Sequence, residues 1–76
     1  MIEMEGLTEG RIVHYVDLFE GKHRSAVITH VWNKETGMVN VYVFPDGSHP
    51  TGQLTPTSIL FDANASKNTW HWIEKA

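Results

Sequence analysis

Residues 23–47 hold the feature that most restricts the fold, two apolar stretches separated by a short polar connection. The stretches at residues 26–32 and 39–44 are rich in β-branched and aromatic side chains, which favour β-strands. The connection between them is polar and contains Gly37, whose tolerance of a left-handed backbone suits a hairpin loop. The sequence therefore predicts a long antiparallel β-hairpin.

Alternation within this hairpin predicts which side chains share a face. In the second strand the alternate residues Val39, Val41 and Val43 form one apolar face. In the first strand Ala26 and Ile28 alternate, but Val31 follows three residues later. A β-bulge near residues 29–30 would bring these three side chains to one face, and a bulge bends its strand. A strongly bent strand is typical of a small barrel.

The remaining chain predicts three further strands around the hairpin. The five predicted strands lie at residues 10–16, 24–33, 38–44, 57–61 and 69–73, within a single domain at 10–76 that follows an irregular N-terminal tail at 1–9. We expect an all-β fold, a small five-stranded SH3-like barrel in which the last strand pairs with the first. A five-stranded OB-type barrel is the alternative, and it is less favoured because the chain shows no helical periodicity.

Composition excludes several classes of protein. The chain has 76 residues and no cysteine, which excludes a disulfide scaffold and a zinc site with cysteine ligands. Its formal net charge is -3 and it has no run of Lys or Arg, so duplex DNA is a disfavoured partner. The chain has no stretch of about 18 apolar residues that could span a membrane. Its acidic beginning lacks the features of a signal peptide, so we expect a cytoplasmic protein.

The alternation of apolar residues also predicts a core. Its expected members are Val13, Ala26, Ile28, Val31, Val41, Val43, Ile59 and one or both of Trp70 and Trp72. If the first and last strands pair, Tyr15 joins the inward side with Val13 and the two tryptophans. Trp32 ends its strand beside the hairpin loop, so we expect it at the surface, where it could bind a ligand or partner.

The five histidines are the most unusual part of the composition. They are His14, His23, His30, His49 and His71. The gaps between them match no known spacing of metal ligands, so we expect scattered histidines and no bound metal or other cofactor. Pairing of the first and last strands would nevertheless place His14 and His71 together on the outer side, near Thr69. Such a polar patch could bind an acidic group or contribute to a dimer contact when protonated.

Two further candidate binding residues follow the hairpin. Asp46 lies in a Pro-Asp-Gly turn, where a carboxylate usually bonds to nearby backbone amides, and His49 lies in the loop after it. Both could instead be polar groups of a ligand-binding loop. Acidic residues elsewhere in the domain also lie in turns, and no Ser–His–acid arrangement can be placed. We therefore expect no catalytic activity.

Four motifs together resemble a group of small proteins encoded by bacteriophages and prophages. They are GRIVHYV at 10–16, A-x-I-x-x-V-W at 26–32, VNVYVFPDG at 39–47 and NTWHW at 68–72. Asn68 stands where that group usually has glycine. The resemblance spans residues 10–73 and implies a phage or prophage origin, without implying a biochemical activity. A weaker similarity to Tudor-type barrels does not extend to their aromatic cage, because only Phe44 lies near a cage position.

These observations predict a non-enzymatic phage or prophage accessory protein. It would be a small β-barrel binding module acting on a host protein or small ligand in the bacterial cytoplasm. The alternatives are a sponge for a nucleotide-type signal and an accessory protein for single-stranded nucleic acid. A homodimer is compatible with each function, since small β-domains with thin cores often gain stability by association.

Overall fold

The computed structural model describes residues 4–18, 21–45 and 54–73, which contain five β-strands and no helix. The strands are β1 (Ile12–Val16), β2 (His23–Asn33), β3 (Met38–Val43), β4 (Leu60–Phe61) and β5 (Thr69–His71). The predicted all-β class with five strands is confirmed. The fourth strand is shorter than the predicted 57–61, because Ser58 has a φ of 54° and this left-handed conformation interrupts the ladder.

The strands form one mixed sheet in the order β3-β2-β1-β5-β4. All neighbouring pairs are antiparallel except β4 and β5, which are parallel. Just before β4, Ile59 forms an antiparallel bridge with Val39 of β3. The two edges of the sheet therefore meet, and the sheet is curled into a half-barrel. The predicted pairing of the last strand with the first is confirmed.

The predicted bulge lies where the sequence places it, in the middle of β2. Ile28 pairs with Val41 and Val31 pairs with Val39, and the register shifts between Ile28 and His30. The shift shows that β2 has one extra residue between Ile28 and His30. The extra residue keeps Ile28 and Val31 on the same side of the sheet despite their odd spacing. Val31 is half-buried rather than buried, since it lies near the end of the hairpin.

The core fills the inner side of the curled sheet. Its buried members are Leu7, Val13, Tyr15, Ala26, Ile28, Val39, Val41, Val43, Ile59 and Trp70. The predicted core is thus confirmed, with Trp70 fully enclosed and Trp72 packed at its margin. Leu7 belongs to the irregular N-terminal segment and was not predicted in the core, yet only 2% of it is exposed.

Trp70 connects β5 to the turn between β2 and β3. Its indole Nε1 donates a hydrogen bond of 2.7 Å to the carbonyl oxygen of Gly37. Its ring meets those of Phe61 and Trp72 edge-on, with centroids 5.0 and 4.9 Å apart. These contacts attach β5 to the β2–β3 turn and to β4, and β5 carries one of the candidate site residues.

Candidate functional site

The outer face, the side of the sheet opposite the core, carries an apolar row across three strands. Ile12 of β1 lies opposite Val27 of β2, and Val27 lies opposite Tyr42 of β3. Phe44 follows β3 on the same side, and its ring centroid is 5.9 Å from that of Tyr42. Exposure is 41% for Ile12, 37% for Tyr42 and 40% for Phe44. The outer face therefore presents apolar and aromatic surface to solvent.

Three histidines meet on the same face, two residues further along β1. His14 of β1 lies opposite His71 of β5, and His23 begins β2 opposite Val16. The ring centroids are 6.0 Å apart for His14 and His23, 5.6 Å for His14 and His71, and 4.6 Å for His23 and His71. One ring nitrogen from each histidine lies within 4.8 Å of the other two. These residues form the histidine cluster.

The structure places the predicted pair His14 and His71 together but changes the character of the patch. The pairing of the two histidines and their shared face are confirmed. His71, however, is buried, whereas the prediction placed it in an open polar patch. His14 is half-buried and His23 is exposed, so the cluster opens to solvent on the side of His23.

His23 is the member that sequence reasoning missed. Its position depends on the β1–β2 register, in which Val16 pairs with His23. Between these strands the amide of Asp17 donates a hydrogen bond to the carbonyl of Lys22, and the amide of Gly21 donates one to the carbonyl of Asp17. A shift of one residue in this register would move His23 to the opposite face. The gap of nine residues between His14 and His23 does not determine that register, so the expectation of scattered histidines does not hold for the cluster.

A carboxylate lies near the cluster in the loop that precedes β5. The side chain of Ser66 donates a hydrogen bond that lowers the pKa of Asp62, with further lowering from the backbone amide of Asn64 and from nearby His71. The amide of Asn64 is 2.9 Å from the Asp62 carboxylate. The charged form of Asp62 is thus stabilised chiefly by hydrogen bonds within its own loop.

A second carboxylate near this end of the sheet forms an ion pair with an arginine side chain. Asp17, which follows β1, accepts two hydrogen bonds of 3.2 Å from Arg24, and both residues are buried. Arg24 lies opposite Tyr15 on the inner side, away from the histidine cluster. Since a buried ion pair needs both partners, we interpret Asp17 and Arg24 as structural.

Trp32 is the other predicted site residue that lies in the described part of the chain, and it does not join the cluster. Trp32 is 58% exposed, which confirms its predicted surface position, and its Nε1 donates a 2.8 Å hydrogen bond to Asn40. It lies nine residues from His23 along β2, a separation of roughly 30 Å at the rise of an extended strand. Its ring contacts His30, with centroids 4.3 Å apart. Asp46 and His49 lie outside the described residues.

In chemical terms, the cluster offers three imidazole nitrogens from three strands. Imidazole is the commonest metal ligand in proteins and suits zinc, copper and nickel. No helix in the described part of the chain is long and apolar enough to cross a membrane. Comparison of the chain with protein-family models, with curated proteins and with solved structures finds no match in any of the three, so the candidate site is defined by its geometry alone.

Proposed function

We propose that this chain is a non-enzymatic binding module whose outer face binds a host protein. In this proposal it is an accessory protein of phage or prophage origin that acts in the bacterial cytoplasm. The observation that carries the binding role is the apolar row on the outer face. Ile12, Val27 and Tyr42 are contiguous across three strands, and Phe44 extends the row.

Exposure of this row favours a macromolecular partner over an enclosed small ligand. Contiguous exposed apolar surface with polar groups at its margin is typical of protein interaction sites. Aromatic side chains are also enriched at the centre of protein–protein interfaces. The histidine cluster supplies the polar margin here, because His14 lies on the same strand and face as Ile12.

The environment of the acidic residues supports a role without catalysis. Asp17 is held by Arg24 and the charge of Asp62 is stabilised within its own loop, so neither carboxylate is placed as a general base. A general base must lie within hydrogen-bond reach of the proton that it removes. Both carboxylates instead stabilise turns next to the sheet.

The test compares capture of host proteins by the wild type and by a variant of the outer face. In Tyr42→Thr/Phe44→Thr two exposed aromatic rings are removed, while the β-branched replacements preserve strand propensity. The matched control, Leu18→Thr/Leu54→Thr, removes two exposed apolar side chains from irregular segments. Each immobilised protein is incubated with lysate of the bacterial host, and captured proteins are quantified by mass spectrometry.

We expect one host protein to be enriched by the wild type and the control and to be lost, by at least about tenfold, with the outer-face variant. Circular dichroism would establish that all three chains are folded. Equal capture by the two variants would contradict the proposal. So would an outer face that binds nucleotides or single-stranded oligonucleotides, or one that only joins two copies of this chain in light-scattering measurements.

A further inference from the structure

We propose that His14, His23 and His71 bind one divalent transition-metal ion, with zinc as the best match, and leave one coordination position for an external ligand. This metal site goes beyond the protein-binding role of the outer face. It depends on the geometry of the histidine cluster and stands whether or not Tyr42 and Phe44 contact a partner.

The fold brings the three ligands together from distant parts of the sequence. His14 and His71 are opposite each other on the paired strands β1 and β5, and His23 enters from β2 on the other side of β1. β1 therefore carries one ligand itself and has a further ligand on each side, one from β2 and one from β5. Because ordered strands hold the backbones of His14 and His71, metal binding costs less conformational entropy than it would in a loop.

The distances are within reach of coordination through side-chain rotation. The candidate ligand nitrogens lie within 4.8 Å of one another. Around a tetrahedral zinc ion with Zn–N bonds of about 2.0–2.1 Å, they would be about 3.3 Å apart. The separation of each pair of nitrogens must therefore decrease by about 1.5 Å or less, a shift that rotation about χ1 and χ2 of the three histidine side chains can supply.

The surroundings also suit a cation. Asp62, in the loop before β5, interacts electrostatically with His71, so its carboxylate adds negative charge to the surroundings of the cluster. His71 is buried and His14 is half-buried, so part of the site is shielded from water. The exposed side of His23 provides an entry path for the ion.

The ligand set selects the class of metal. The chain has no cysteine, and imidazole nitrogens favour zinc, copper or nickel over calcium or magnesium, which prefer oxygen ligands. Among the described residues, the cluster comprises three ligands. Zinc sites with three protein ligands normally hold water or another exogenous ligand in the fourth position. A carboxylate or imidazole of a bound protein could occupy that position.

The first test is titration of the untagged protein with zinc chloride, measured by isothermal calorimetry. In a second titration cobalt chloride is added and the visible absorption spectrum is recorded. The principal variant is His23→Ala, since His23 is exposed and its loss should leave the fold intact. The matched control is His30→Ala, an exposed histidine of the same strand that packs against Trp32. A second ligand variant, His14→Ala, removes a half-buried member of the cluster.

We expect one zinc ion per chain and a Kd that rises by at least about tenfold in His23→Ala and His14→Ala. His30→Ala should bind zinc as the wild type does. Cobalt should give the visible absorption of a four- or five-coordinate ion, and this should be lost in His23→Ala. Because protons compete with the metal for the imidazole nitrogens, affinity should fall as the pH is lowered.

Three results would overturn the proposal. The first is a wild-type Kd weaker than about 100 µM, which would be too weak for three ligands that the fold already holds together. The second is an affinity unchanged by His23→Ala in a protein shown to be folded. The third is an equal loss in His30→Ala. None of these results depends on capture of a host protein, so failure of the metal site and failure of the outer-face proposal are distinguishable.

Discussion

Asn68 shows how one residue can meet two structural requirements. Its φ is 64°, a left-handed conformation that glycine and asparagine tolerate best among common residues. Asparagine adds a side-chain oxygen, which accepts a 2.6 Å hydrogen bond from the hydroxyl of Tyr15. Asn68 thereby ties the loop before β5 to β1.

The same tyrosine predicts how stability depends on pH. Burial raises the pKa of the Tyr15 hydroxyl, and the nearby carboxylate of Asp17 raises it further. The folded chain therefore keeps a proton that the unfolded chain releases above about pH 10, where tyrosine normally titrates. Stabilisation from this proton is fully present below pH 10 and is lost as the pH rises through the pKa of the folded state.

We expect the free energy of unfolding of the wild type to fall more steeply than that of Tyr15→Phe between about pH 9 and pH 11. Near neutral pH the variant should be less stable by about 1 kcal/mol, because it lacks the hydrogen bond to Asn68. Urea denaturation at several pH values measures both effects. Tyr42→Phe, on the exposed outer face, is the matched control and should keep the wild-type slope. Parallel pH profiles for Tyr15→Phe and the wild type would contradict this role of Tyr15.

At the scale of elements, the turn between β2 and β3 is determined by a glycine for two reasons. Gly37 has a φ of 79°, which disfavours any residue with a Cβ atom. A Cβ at this position would also lie 2.7 Å from Cβ of Phe61 and 3.1 Å from Cε of Met4. The backbone of the turn therefore lies directly against β4. This close approach allows the carbonyl oxygen of Gly37 to accept a hydrogen bond from the indole N–H of Trp70.

Gly37→Ala should consequently destabilise the domain more than a change of backbone preference alone would. Gly10→Ala is the matched control, because Gly10 has a φ of 90° and an added Cβ would meet no atom within 4 Å. We expect Gly10→Ala to cost about 1–2 kcal/mol for its left-handed backbone. Gly37→Ala should cost about 1–3 kcal/mol more, because its Cβ overpacks the site. Equal losses in urea denaturation would mean that the turn can move away from Phe61 without cost.

At the scale of the whole molecule, the alternation of apolar residues predicted much more of the fold than of the candidate site. The valines of β3 and the irregular spacing in β2 were sufficient to predict the core side and the bulge, because a slip of one residue would expose every core side chain. The expected pairing of the last strand with the first then placed His14 beside His71. The burial of His71 and the position of His23 in the cluster could not be predicted in the same way. Both depend on the conformation of short turns, and neither turn carries a pattern that specifies its register.

The histidine cluster also makes a prediction for the folding of the molecule as a whole. Its three ligands lie on β1, β2 and β5, and the first and last are 57 positions apart in the chain, so the proposed site exists only when these strands are assembled. A metal ion that binds the folded state alone should stabilise the domain by about 2.7 kcal/mol when free zinc is 100 times its Kd. For a domain of this size that corresponds to an increase in the urea midpoint of on the order of 2 M, with an unchanged m-value. His23→Ala should lose the increase and His30→Ala should keep it. A midpoint that zinc leaves unchanged in the wild type, at concentrations where calorimetry shows binding, would mean that the ion binds equally well to the unfolded chain and that the folded strands do not form its site.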